Sequence, residues 1–482
     1  MLAMTEHPVE DVERSGFLAR GWRSLRELWR EVASSARGNE EADAAGHLSP
    51  RQLARLRHTL TECVQEVGGQ VSARARAAEI GETYLALPDP GRREFLRLLA
   101  REFGPDLAAV DRAIDAYRRA PEGGRAPAAA RLAEALQPPR LRIFTQFNAL
   151  PQGVKFLVDL RADVLRMVRD APEISVLDRE LEGLLASWFD VGFLDLRRIT
   201  WESPAMLLEK LFAYEAVHEI RSWSDLRHRL DGDRRCYAFF HPRMPDEPLI
   251  FVEVALVRRI AASIHALLDE RVPAADPRKA DTAVFYSISN TQPGLRGVSF
   301  GHFLLKRVID DLREELPNLK TFATLSPVPF FRRWLTALLE RPEPVLTASE
   351  ARRVAEASGE EDAQTGLRKF LSGNEWVHSA PAQEALRAPL VRLCARYLVE
   401  AREGNRPMDP VARFHLGNGA RLERINWLAD ASPKGLKQSL GIMVNYLYDL
   451  KDIEDNHERY ARSGEVVVSS AVRSLLKQAR GA

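Results

Sequence analysis

The sequence predicts an α+β protein, with an all-α helical bundle domain over residues 1–188 followed by a mixed α/β domain over 189–482. Three observations lead there. Apolar residues recur at three- and four-residue spacing through the first third of the chain, the period of a helix with one buried face. Near residue 190 the pattern gives way to short runs rich in β-branched and aromatic residues. A glycine loop then joins one such run to a long helical pattern, the order of a sheet crossed by a helix.

In the helical part, Trp22, Leu25, Trp29 and Val32 form a first stripe. A second helix opens at Ser49-Pro50, an N-cap serine with proline in the first turn. Its stripe runs Leu53, Leu56, Leu60, Cys63, Val64 and Val67, and Gly68-Gly69 ends it. Further helical patterns cover 71–87, 91–103 and 106–119, and PEGGRAP (121–127) reads as a turn or linker. Another, FNALPQGVKFLVDLRADVLRMV, begins at Phe147. None of these stretches combines an acid, a base and a nucleophile. Striped helices with charged outer faces pack on another domain or subunit, so the expectation is a homo-oligomer formed through this domain.

In the second part, CYAFFHP (236–242) and LIFVEVAL (249–256) are strands joined by RMPDE as a hairpin, and TAVFYSIS (282–289) is a third. The loop NTQPGLRGV leads into SFGHFLLKRVIDDLREEL, a helix whose apolar face is Phe300, Phe303, Leu304, Val308, Leu312 and Leu316. TFATLSPV (321–328) is a fourth strand, and 330–400 return to helical patterns.

Composition narrows the function classes. The chain has 482 residues, long enough for several domains, with 45% apolar and 28% charged side chains. Sixty-nine Lys and Arg nearly cancel 68 Asp and Glu, so the basic excess of a nucleic-acid or membrane-surface protein is missing. No apolar run approaches a membrane span. The three cysteines, Cys63, Cys236 and Cys394, form neither a zinc spacing nor a disulfide framework, which suits a reducing compartment. MLAMTEHPVEDVERSG is acidic and lacks an apolar core, unlike a secretory signal, and QARGA carries no peroxisomal address. The expectation is a cytoplasmic protein.

Two stretches carry candidate chemistry. In QPGLRGVSFG (292–301), Gly294, Gly297 and Gly301 allow a sharp turn and close approach of a ligand, and the following helix start suits a phosphate beside Arg296. The stretch matches neither GxxxxGK[ST] nor GxGxxG, and glycines that serve only a tight turn remain an equal reading. The second stretch is FATLSPVPFF, where Ser326 ends a strand directly before Pro327 and Pro329. Its possible partner is His415 in PVARFHLGNGARLERINWLAD. There Phe414 and Leu416 alternate with Arg413 and His415, and Asn418-Gly419 is the strongest hairpin signal in the chain, so a strand with His415 on its polar face is expected. Ser326 lacks the GxSxG elbow of a hydrolase, and neither HExxH nor paired histidines suggest a metal. A capping serine and a surface histidine are the plain alternatives.

These stretches resemble the malonyl-CoA decarboxylase family, together with WFDVGFLDLRRITWESPA, EAVH, SWSDLRHRL, RRCYAFFHPRMPDEPLIFVEVAL, VFYSISNTQPGLRGVSFGHFLLKRV and FHLGNGARLERINWLADAS. The likeness runs from about Phe144 to Asn456, and the first hundred residues resemble the family's helical domain only loosely. The resemblance implies an acyl-CoA N-acyltransferase-like catalytic domain after the helical one. It implies conversion of malonyl-CoA to acetyl-CoA and CO2 with no metal or organic cofactor, and no nucleic-acid or membrane partner is expected. By the same resemblance Ser326 and His415 are catalytic, Ser326 as proton acceptor and His415 as donor. The CoA-contacting loop falls on Arg296, Gly297, Val298, Ser299, Phe300, Gly301 and His302. Some members of the family carry an acid where this chain has Ser299, and a role for that carboxylate does not transfer. The rival readings are an acyl-CoA-dependent acyltransferase, which needs an amine acceptor, and a non-catalytic acyl-CoA-binding regulator, which binds without turnover.

Overall fold

The computed structural model describes Trp29 and residues 46–189, 191–298 and 304–480. Trp22, Leu25 and Val32 of the first stripe lie outside these residues, as do Ser299, Phe300, Gly301, His302 and Phe303. The chain divides into two compact units, the first reaching Leu194 and including Phe240–Glu247 and Gln292–Phe300.

The first unit is helical. Its helices run Pro50–Val64, Gly69–Ala86, Asp89–Glu102, Leu107–Arg119, Arg125–Ala135, Arg140–Asn148, Gly153–Met167 and Ser175–Trp188. Ser49 caps the first of these through a capping box with Gln52, as its sequence suggests. That helix stops at Val64, and Gly68 and Gly69 supply the positive φ of the turn before the next. PEGGRAP is not a linker throughout, because a helix starts at Arg125 inside it. The pattern from Phe147 is two helices, broken where Gln152 takes a φ of 53°. The core is aromatic: Trp29 packs on Phe147 and Phe156, and Tyr84 on Phe95 and Phe156. Burial of several such rings is the main stabilising term here.

The second unit is built on a mixed sheet, all of whose strand residues fall in it except those within Phe240–Glu247. Its strands are β1 (Asp195–Ile199), β2 (Arg234–His241), β3 (Met244–Val257), β4 (Thr282–Asn290), β5 (Thr321–Thr324) and β6 (Ser326–Pro327). A separate two-stranded ribbon, β7 (Arg402–Glu403) and β8 (Arg406–Pro407), precedes β9 (Arg421–Asn426) and β10 (Met443–Leu447). The sheet order is β1-β2-β3-β4-β5-β10-β6, with β9 also on β10. β4 and β5 pair in parallel, joined through the helix Leu304–Glu315, so the expected strand–helix–strand crossover is present. Leu304, Val308, Leu312 and Leu316 are buried, as the apolar stripe requires. The β2–β3 hairpin turns at Pro242 and Arg243, tighter than RMPDE suggests, because Met244 already lies in the strand.

TFATLSPV is not one strand. β5 ends at Thr324, the Leu325 amide bonds to the Phe285 carbonyl, and the chain resumes pairing at Ser326 opposite Val444 of β10. Pro327 lacks an amide proton and is tolerated because β6 ends the sheet path.

Candidate active site

Ser326 and His415 meet. The Ser326 Oγ lies 3.0 Å from Nε2 of His415, and both residues are buried. Sequence separation of 89 residues is closed by the sheet and by one short helix.

That helix is Pro410–Gly417, where alternation suggested a strand. The start signal outweighs the alternation: Asp409 accepts a hydrogen bond from the Ala412 amide at 2.8 Å, and Pro410 occupies the first helical position. Asn418-Gly419 is accordingly a helix end and not a hairpin. The Asn418 side chain donates to the Phe414 carbonyl at 2.8 Å, and the Ala420 amide returns to the His415 carbonyl at 3.1 Å. Gly419 has a φ of 81°, and a Cβ there would strike the Ile453 carbonyl. His415 therefore rides the last turn of a helix pinned at both ends, pointing inward instead of lying on a polar face.

Around the imidazole the partners are uncharged. Nδ1 lies 2.8 Å from the Tyr448 hydroxyl, and the Tyr446 ring stacks on the imidazole at a centroid distance of 4.6 Å. Tyr446 and Tyr448 share one face of β10 and its extension by the alternation of a strand. Ser326 donates to Thr324 Oγ1 at 2.8 Å, and that oxygen also accepts the Tyr446 amide at 3.1 Å. Asn445, pointing the other way, donates to the Thr324 carbonyl at 2.6 Å and ties β5 to β10. Burial pushes the His415 pKa down to about 3, so the ring is neutral, and burial also pushes the Tyr448 phenol up. Among the described residues no carboxylate bonds to the imidazole. A Ser–His–Asp centre stabilises its imidazolium with a buried acid. This pair has a phenol there, which favours short-range transfer of a proton over generation of a charged histidine.

The predicted CoA loop is described as far as Val298, and it belongs to the first unit. Pro293–Leu295 form a single 3-10 turn. The amides of Arg296 and Val298 bond to Pro293 and Leu295 carbonyls, so they are used within the turn. Arg161, 2% exposed, donates at 2.8 Å to the carbonyls of both Gly294 and Arg296 and pairs with Asp178. Gly294 sits against the Val158 carbonyl with no space for a Cβ, and Gly297 takes a φ of 83°. The glycines are thus needed by the turn itself, while the Arg296 side chain is exposed. Ser299, Phe300, Gly301 and His302 are outside the described residues.

Sequence reasoning missed Thr324, Asn445, Tyr446, Tyr448 and Arg161. The alternating tyrosines of MVNYLYDL offered a signal for two of them. Arg161 was hidden in an ordinary amphipathic pattern. Among the described residues no group of three His, Cys, Asp or Glu side chains is placed to hold a metal ion, and no helix is long and apolar enough to cross a membrane.

A sequence model of the malonyl-CoA decarboxylase C-terminal domain matches residues 192–482, and one of the N-terminal domain matches 103–189. The chain belongs to the malonyl-CoA decarboxylase family. It is 38% identical to the mitochondrial malonyl-CoA decarboxylase of Anser anser anser over 481 residues, covering 95% of this chain and 94% of that one. The crystal structure of malonyl-CoA decarboxylase from Rhodopseudomonas palustris is 45% identical with a TM-score of 0.80, covering 89% of this chain and all (100%) of that one. That from Agrobacterium vitis is 43% identical with a TM-score of 0.77, covering 87% and 99%. The helical region followed by a mixed-sheet domain is thus the architecture of this malonyl-CoA decarboxylase family member.

Proposed function

We propose that this protein decarboxylates malonyl-CoA to acetyl-CoA and CO2 as a carboxy-lyase that needs no cofactor. The observation that carries the chemistry is the buried contact of Ser326 with a neutral His415 backed by the Tyr448 phenol. The substrate holds its own electron sink: as the bond to the carboxylate breaks, the electron pair enters the thioester enolate and CO2 leaves. A proton then forms the new bond at the α-carbon, drawn from the Ser326–His415–Tyr448 chain and returned to it by solvent. A thioester enolate carbon is a much stronger base than phenolate or imidazolate, so neutral donors suffice. A hydrogen bond to the developing oxyanion adds stabilisation, worth about 3 kcal/mol per donor in a dry site.

Ser326 and His415 are the catalytic residues of this reading, His415 as donor and Ser326 as acceptor or as donor to the thioester oxygen. The loop 296–302 is assigned to CoA, with the exposed Arg296 guanidinium available to an anion. The helical domain, 1–188, is assigned to homo-oligomer formation and 189–482 to catalysis. The compartment we propose is the cytosol, a reducing environment that suits three buried free cysteines, Cys63, Cys236 and Cys394. The curated relative described above is named mitochondrial, and localisation of a fluorescent fusion decides between the compartments.

The test is incubation with malonyl-CoA alone, followed by mass spectrometry. Stoichiometric acetyl-CoA and CO2 support the proposal. Intact, bound malonyl-CoA refutes it and leaves a transferase or a regulator.

A further inference from the structure

Ser326 has one proton and two neighbours. Thr324 Oγ1 lies at 2.8 Å and His415 Nε2 at 3.0 Å, and the hydroxyl can donate to only one of them at a time. Thr324 Oγ1 is the acceptor in the bond with Ser326. Thr324 is fully buried, its Oγ1 already receives the Tyr446 amide, and its carbonyl is bonded by Asn445. The residues are two apart on an extended stretch, so both side chains stand on one face of the sheet.

We propose that Thr324 is a positioning residue that fixes the proton order of the site, turning the Ser326 hydroxyl toward itself so that His415 rests as the Nε2–H tautomer. Once Ser326 donates to Thr324, a lone pair on Oγ faces Nε2, and the close contact there is a hydrogen bond only if Nε2 carries the proton. The neutral ring then has a bare Nδ1, which accepts from Tyr448 at 2.8 Å. The result is one directional chain, Tyr448 to His415 to Ser326 to Thr324. Without the threonine acceptor the serine proton is free to turn to Nε2, which moves the imidazole proton to Nδ1 and reverses the chain. Tautomer control of this kind is commonly exerted by the group on the second nitrogen; here the geometry assigns it also to the residue beyond the serine.

The inference deepens the decarboxylase reading, yet its main test needs no substrate. Nitrogen NMR on the full chain labelled at histidine nitrogens distinguishes the two tautomers, with His415→Gln identifying the resonance. Wild type is expected to be Nε2–H. Thr324→Val, close in shape but without the acceptor, is expected to gain the Nδ1–H form and to lose about tenfold or more in kcat with KM little changed, as for a lost buried hydrogen bond. Thr324→Ser is expected to restore both. An Nδ1–H wild type, or Thr324→Val with an unaltered tautomer, overturns the proposal. If Thr324→Val fails to fold, Thr324→Ala replaces it, and the wild-type tautomer is decisive in either direction. Failure to consume malonyl-CoA with the expected tautomers would overturn the decarboxylase reading alone.

Discussion

Nδ1 of His415 is 2.8 Å from the Tyr448 hydroxyl, the place where a hydrolytic triad has a carboxylate. A phenol in that place bonds to the ring without bringing a carboxylate charge into the pocket. Tyr448→Phe keeps the ring, including its edge contact with Phe285, and deletes that one hydrogen bond. The expected outcome is a fall in kcat of about 10–100-fold with a nearly constant KM, measured by acetyl-CoA formation. A variant as fast as wild type would remove Tyr448 from the proton path.

Ser326→Ala and His415→Ala should each lower kcat by about 10²–10⁴-fold, the range of a lost general acid or base. Binding of acetyl-CoA, read by calorimetry, should change by no more than about threefold, since the CoA handle lies elsewhere in the substrate. The double variant should be little worse than either single one, because the two groups act as a unit. Additive losses would mean that they serve separate steps.

The fold was legible where one signal ruled. Ser49-Pro50 and the stripe after it lead directly to a capped helix, and the apolar face of 304–316 leads to the buried crossover. Legibility failed where two local signals competed. Four alternating residues before Asn418-Gly419 look like a hairpin, but Asp409-Pro410 starts a helix, and in a helix the same Asn-Gly pair is an end cap. The site was legible only in part for a related reason. Ser326 and His415 emerged through the family's motifs, whereas Thr324 and Tyr448 acquire meaning only when β5, β6 and β10 are paired, a non-local fact. Arg161 was invisible because a buried cation bonded to backbone carbonyls leaves no periodic trace.

Arg161 also makes a prediction. Its Nη1 bonds both Gly294 and Arg296 carbonyls, while Asp178 and Glu182 hold the rest of the guanidinium. Arg161→Lys keeps the charge and loses the planar fork, so it cannot hold both carbonyls with the same geometry. The turn at 293–298 should loosen, raising KM for malonyl-CoA by about tenfold with a smaller effect on kcat. Unchanged KM, with faster proteolysis at this turn, would separate the turn from CoA binding.

His415 and Asp409, buried on one helix and at its cap, should contribute opposite slopes to the pH dependence of stability. His415 is neutral in the fold, with a pKa near 3 against an ordinary 6.5. Between those values the unfolded chain binds the extra proton, so His415 contributes stability that is present above about 6.5 and is lost as pH falls toward 3. Asp409 behaves oppositely: burial raises it from 3.8 to about 7, despite the amides of Val411 and Ala412, the Tyr397 hydroxyl and nearby Arg413. Its protonated form is favoured in the fold, so stability is fullest below about 4 and declines as pH rises through 7. The slopes of these two groups oppose one another between about 4 and 6.5, so a variant that removes one of them is needed to see either. Asp409→Asn keeps an oxygen to cap the Ala412 amide and removes one of the two titrations. Relative to wild type it should gain stability between pH 5 and pH 8, on the order of a few kcal/mol at about 1.4 kcal/mol per pKa unit. Urea unfolding of both proteins at the two pH values measures this, and a difference that stays constant would place the Asp409 pKa outside the window.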